Sequence, residues 1–157
     1  MQFTAQIDVN ALGNAIDETF NRVRIPVQAA MAETCFDVTI NNFGMSGEDR
    51  PVEWESLDDK YAKRVGRSFA TLDLKEFKKE GGDKKLIDSV DWNADNPDFA
   101  LVYLNDPPVY AAAHQWGESG MPERPFLPIQ KDTETLTPYT EGKCLDAANK
   151  ALQEALG

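Results

Sequence analysis

The chain has 157 residues, 41% hydrophobic and 10% aromatic, enough for one domain with a real core and too apolar for general disorder. Acids outnumber bases 27 to 16, a formal net charge of -11 that sets most of the surface against nucleic-acid phosphates and argues against DNA reading or a membrane-surface role. No run reaches the ~20 apolar residues that cross a bilayer, and Met1-Gln2-Phe3-Thr4 lacks the basic start and apolar stretch of a leader, so the expectation is a cytoplasmic chain unless it is exported within an assembly.

Phe3, Ala5 and Ile7 alternate with Thr4 and Gln6, the period of a short half-buried strand. Asp8 then reads as an N-cap, with Ile7 and Leu12 placed for a hydrophobic staple, and Leu12, Ile16, Phe20 and Val23 form one helical stripe. Beyond Pro26 a second stripe, Ile25, Ala29, Ala32, Phe36, Ile40 and Phe43, lies about half a turn away. That phase change predicts two helices over 8-43, or one sharply kinked helix that changes its buried face at Pro26. Cys35 falls in this region and Cys144 in the last helix, with no metal or redox spacing, and both read as buried thiols of a reducing compartment.

Gly44 to Pro51 is a loop leading to Trp54, and Ser56-Leu57-Asp58-Asp59 resembles a capping box starting a short helix through Tyr61 and Val65. A further short helix is expected over Leu72 to Lys79, stopped by Gly81-Gly82; the lysines around it are interleaved with acids and read as a solvated face. Val90, Trp92 and Ala94 alternate with Asp91, Asn93 and Asp95, and Asn96-Pro97-Asp98 turns into the apolar run Phe99 to Leu104. These form a β-hairpin whose second strand is expected to be buried on both faces. Val109 to Trp116 is compact enough for a helical turn or two, and Thr137 caps a final helix over 138-156 with Pro138 in its first position and Leu145, Ala148, Leu152 and Leu156 as its apolar stripe. Helices, a small antiparallel sheet with its hairpin over 86-130, then a C-terminal helix make an α+β fold in a single domain, 1-157.

Candidate chemistry centres on His114, the only histidine, whose ordinary pKa of ~6.5 suits acid-base work. No second histidine completes a zinc pair and no nucleophile elbow accompanies it, so a structural ring hydrogen-bonded near Tyr110 or a backbone carbonyl is the preferred reading. Asp88, Asp91 and Asp95 sit on the polar side of the first hairpin strand, which explains them as a wet face. Gly81-Gly82-Asp83-Lys84 lacks the strand and pattern of a phosphate loop. No cofactor or metal site is expected. Trp92 reads as core, while Trp54 and Trp116 stand beside loops where large rings are often partly exposed. Pro122, Pro125 and Pro128 fix φ and stiffen the segment carrying Arg124 and Phe126, which should point to one side, for a partner surface or with Phe126 plugging the core.

Tyr110-Ala111 with His114-Gln115-Trp116-Gly117, followed by Pro122-Glu123-Arg124-Pro125-Phe126-Leu127, closely resembles the hallmark of the Mu-like phage virion morphogenesis family, the tail completion proteins of contractile-tailed phages. In order before it, the helical end at Asn41-Asn42-Phe43, Trp54 with Leu57 and Tyr61, and Leu86 with Ser89-Val90 resemble that family as well, so the likeness runs from about Leu12 onward. Glu123 stands where the family usually has alanine. The resemblance implies a non-enzymatic α+β tail-terminator or head-tail joining protein, assembled as a ring, a hexamer by expectation, at the head-proximal end of the tail. Its implied partners are copies of itself, the tail tube and head-connector proteins; its implied location is the virion, and the host cytoplasm during assembly. Trp54, Tyr110, His114, Gln115, Trp116, Gly117, Pro122, Arg124, Pro125 and Phe126 are the structural or interaction candidates. Two other classes stand beside this one: a small hydrolase centred on His114 and nearby acids, and an acidic DNA mimic, which predicts carboxylates gathered on one face where this sequence spreads them along its length.

Overall fold

A computed structural model of the protein describes residues 9-44, 47-56, 58-65, 86-96, 98-117, 120 and 122-157. Helix α1 runs Val9–Asn42, α2 Asp59–Val65, a single 3-10 turn Ile87–Ser89, strand β1 Val90–Asn93, β2 Leu101–Leu104, α3 Ala111–Trp116 and α4 Pro138–Leu156. The strands form a two-stranded antiparallel sheet, with Val90 opposite Leu104 and Asn93 opposite Leu101. The fold is thus α+β. The strand expected over Phe3 to Ile7, the cap at Asp8, the helix over Leu72 to Lys79 and the Gly81 loop lie outside the described residues.

Pro26 does not divide α1. One helix of 34 residues passes through it. Proline removes one backbone donor and crowds the preceding turn, a cost of about 3 kcal/mol, and it is offset on the C-terminal side, where α1 packs on α4 and Cys144 Sγ donates to Met31 O at 3.5 Å. The change of stripe at Pro26 has a different outcome from a change of buried face. The second stripe is packed against the body from Ala29 onward, with Ala32 and Phe43 buried and Ile25 left exposed, whereas Ile16 and Phe20 of the first stripe are 59% and 57% exposed.

Helix α4 starts as its sequence predicts. Thr137 is extended, its side chain accepts from Thr140 N, and Pro138 occupies the first turn. Its buried face differs from the leucine stripe, however. Thr140, Cys144 and Ala151 turn inward, and Leu145, Leu152 and Leu156 turn out. Small residues let the two long helices approach closely, and the leucines are left on the far side. Between α1, β2 and the 127-136 segment lies a cavity of about 330 Å³ lined by Met31, Cys35, Val102, Ile129, Leu136 and Cys144. Burial, with the Cys144 thiol nearby, pushes Cys35 up to about 11, against the pull of its Thr39 contact, so it stays a protonated thiol at neutral pH.

The hairpin also departs from expectation. β2 is not buried on both faces: Leu101 and Tyr103 are exposed while Val102 and Leu104 pack inward. A two-stranded sheet covered by α1 on one side leaves its other side wet. Asp91 and Asp95 lie on that exposed side, Val90 and Ala94 are buried, and Trp92 is only half-buried. The short helix α2 begins at Asp59, with Asp58 Oδ1 accepting from Lys60 N at 3.0 Å, so Asp58 caps it in place of Ser56. The main core gathers Phe43, Leu86, Val90, Ala111 and Phe126, with Trp54 and Leu127 packed against it.

Candidate functional site

The signature window folds back on itself through backbone polar groups. α3 carries His114, Gln115 and Trp116, and its carboxyl end is closed by Gly117 in the left-handed region (φ 70°, ψ 46°), whose N–H donates to Ala113 O at 3.0 Å. A Cβ at Gly117 would sit 3.1 Å from Glu123 Cβ, so any other residue would crowd the returning segment as well as strain the left-handed turn. The returning segment then pairs with α3: Arg124 N donates to His114 O at 2.7 Å.

Gln115 does the joining. Its amide is almost wholly buried, and Oε1 accepts from Phe126 N at 3.1 Å and Leu127 N at 3.0 Å while Nε2 donates to Leu127 O at 3.4 Å. The proline-rich segment cannot make a regular ladder, since Pro122, Pro125 and Pro128 lack donors. A side-chain amide reading two successive N–H groups takes the place of a neighbouring strand. Trp54 reaches the same segment from the other side, its Nε1 donating to Pro125 O at 3.0 Å, and Arg50 stacks on its ring 3.6 Å from the centroid.

Phe126 is fully buried and its ring lies 5.0 Å from that of Phe43. Of the two readings of Phe126, a partner surface or a plug of the core, the structure has the second: Phe126 and Pro125 are core, and the prolines aim the phenyl ring inward. Pro122 is exposed, Trp116 and Arg124 are half-buried, and the Trp116 carbonyl accepts from Lys131 Nζ at 2.9 Å. Tyr110 is also exposed and meets the His114 ring edge-on at 5.5 Å.

His114 itself is poorly placed for acid-base chemistry. Burial, with the Arg124 guanidinium beside it, holds its pKa below the ordinary 6.5, so the ring is neutral at pH 7. The hydrogen-bonded ring expected from sequence is not found at Nδ1, which is buried with no partner; the residue is tied in by its carbonyl. Among the described residues no cluster of three or more His, Cys, Asp or Glu side chains is placed to hold a metal ion. No described helix is long and apolar enough to cross a membrane.

Sequence reasoning missed the second half of this site. Asn42, fully buried at the end of α1, donates to Phe126 O at 3.1 Å and Asp49 O at 2.8 Å, and its Oδ1 accepts from Glu48 N at 3.0 Å and Asp49 N at 2.8 Å. Every bonding position of the amide is used. Asp49 in turn places its carboxylate at the start of α4, accepting from Thr140 N at 3.1 Å and from the hydroxyls of Thr137 and Thr140. An anion there complements the helix dipole. Glu48, beside it, accepts from Asn41 and pairs with Lys143, and these contacts hold its carboxyl below the usual range. The end of α1, the start of α4 and the signature segment thus meet at one loop. A buried asparagine ending a long helix is a signal in the sequence, but nothing there says which segments it joins.

No family model, curated protein or solved structure matches the chain.

Proposed function

We propose that the chain is a structural assembly protein of a contractile-tailed phage or prophage, a tail completion or head-tail joining component that acts as a ring at the head-proximal end of the tail. The observation that carries this reading is the role of the signature residues. Gln115, Gly117, Pro125 and Phe126 spend their chemistry on backbone amides, a left-handed turn and the core. Residues of a hydrolytic centre would instead converge on an open cleft, with a base near the ordinary pKa range and an orienting acid. His114 has the opposite surroundings: a cation beside it and a depressed pKa.

A joining protein needs a rigid platform and large exposed anchors. The clamp around Asn42 and Gln115 supplies the first. Ile16, Phe20, Tyr110 and Val109, all exposed, supply candidates for the second. The net charge of -11 suits a ring through which DNA passes, because like charge keeps phosphates from sticking.

Electron microscopy of the purified protein, alone and mixed with tail tubes, tests the proposal. Rings or capped tube ends are expected. A protein that never associates with tubes at any concentration would remove the reading, as would a hydrolytic activity that is lost in His114→Ala while tube capping persists.

A further inference from the structure

Among the described residues, helix α1 packs on the body only beyond its first half. From Arg24 onward it has neighbours: Arg24 pairs with Asp98 at 3.5 Å, and Pro26 to Ala30 face the end of α4. Before Arg24 the described side chains from Gly13 to Arg22 are all exposed, Ile16 and Phe20 among them. Val9 to Ile25 is about 25 Å of helix. It contains Gly13, Asn10, Asn14 and Thr19, poor helix formers, and a solvated helix of this length and composition is marginal on its own. On α4 the converse holds: a well-anchored helix presents Leu145, Leu152 and Leu156, 52%, 37% and 55% exposed, to solvent.

We propose that these two stripes are the halves of one contact between copies of this chain, the projecting half of α1 from one copy lying along the outward leucine face of α4 in the next. The inference rests on the ring reading above and names the surfaces that would close it. Each copy has one stripe of each kind, so a head-to-tail contact uses both and repeats around a ring. Each stripe has the three-and-four spacing that packs helix on helix. Charge points the same way. In a chain of net -11, Val9 to Ile25 holds two acids, Asp17 and Glu18, against two bases, Arg22 and Arg24, and α4 holds three acids against two bases. The two helical stretches are therefore nearly neutral, and are where copies of an acidic protein can approach.

Size also fits a second copy. At about half exposure each large side chain brings on the order of 100 Å² of apolar surface, so the five anchors bury roughly 500 Å². Flanking residues along the helix bring the contact to the order of 1,000 Å², the lower limit for a specific interface. A single pair would associate modestly, and a closed array, in which every copy buries both stripes, is held more firmly.

Native mass spectrometry and sedimentation velocity of the full chain, over about 1 to 100 μM, test this with Phe20→Asp, Leu152→Asp and the control Val52→Asp, at an exposed apolar residue outside both stripes. Circular dichroism confirms that each variant is folded. The wild type and control are expected to form oligomers, and Phe20→Asp and Leu152→Asp alone should associate at least ~30-fold more weakly. An equimolar mixture of those two variants should form a one-to-one pair and nothing larger, because one retains the leucine face and the other the α1 stripe. A wild type that stays monomeric, oligomers that survive both substitutions, or a mixture that fails to pair would each overturn the contact. Oligomers surviving both substitutions, with tube ends still capped, would leave the ring reading standing on another surface; loss of tube capping by the wild type would count against the ring reading itself.

Discussion

Replacing Asn42 with leucine would show how much the clamp contributes. The substitution keeps the number and branching of the heavy atoms, with bulkier methyls in place of the amide, and removes four hydrogen bonds, two accepted from Glu48 N and Asp49 N and two donated to Asp49 O and Phe126 O. A buried polar group left without a partner costs about 1–3 kcal/mol. The loop groups around Glu48 and Asp49 are half-buried and can turn partly to water, whereas the Phe126 carbonyl is sealed in the core. The net loss should be about 3–5 kcal/mol, a third or more of the stability of an ordinary domain, and a fall in Tm of roughly 10 °C. Urea unfolding followed by circular dichroism at unchanged m-value measures it. Asn42→Asp gives a second test: it keeps both accepted bonds but faces two carbonyls with a carboxylate, so its deficit against wild type should shrink at a pH low enough to protonate it. An Asn42→Leu variant within 1 kcal/mol of wild type would refute the clamp.

Gly117→Ala should cost about 1–2 kcal/mol, from the positive φ and the close pass of Glu123, read as a lower urea midpoint. Phe126→Ala should cost about 3–5 kcal/mol, while Leu145→Ala on the outer face of α4 should change monomer stability by about 0.5 kcal/mol or less; equal costs would contradict the assignment of core and surface. For His114 the sign follows from its depressed pKa. Below pH 6.5 the unfolded chain takes up a proton that the folded ring resists, so the stability present above 6.5 falls as pH drops toward the folded pKa. His114→Gln should remove that part of the slope, and identical pH profiles for the two proteins would show that His114 does not titrate as described.

Local rules found the elements that local chemistry decides. Thr137-Pro138 marked the start of α4 because cap and first turn are written in adjacent residues, and the Val90-Trp92-Ala94 alternation marked β1 because its period is two. Rules of periodicity failed where a neighbour's shape decides burial. The leucines of α4 make the more hydrophobic stripe, yet Thr140, Cys144 and Ala151 face inward because a close helix partner needs small side chains, and Thr140 finds a carboxylate in Asp49. The first stripe of α1 was legible as apolar, but not as exposed. In the signature window the prolines marked the segment carrying Arg124 and Phe126 as stiff; only the fold shows that Phe126 is held there by Gln115 and Asn42.

The bonds of the Asn42 clamp have another consequence, in the making of the protein. Asn42 meets Phe126 across 84 residues, and Asp49 meets Thr140 across 91. A chain emerging from the ribosome can form α1 and its bonds to the adjacent 48-50 loop early, but the end of that helix meets Phe126, and the loop meets Thr140, only after many more residues have been synthesised. Closing loops of this size gives up chain entropy before the long-range bonds of the clamp form, so that step belongs late in folding. A product cut short before residue 140 would lack the carboxylate-capped start of α4 and the inner face that holds α1. Only a chain that includes α4 can then present α1 and α4 in fixed relation, so a truncated product lacks the surface on which α1 is held.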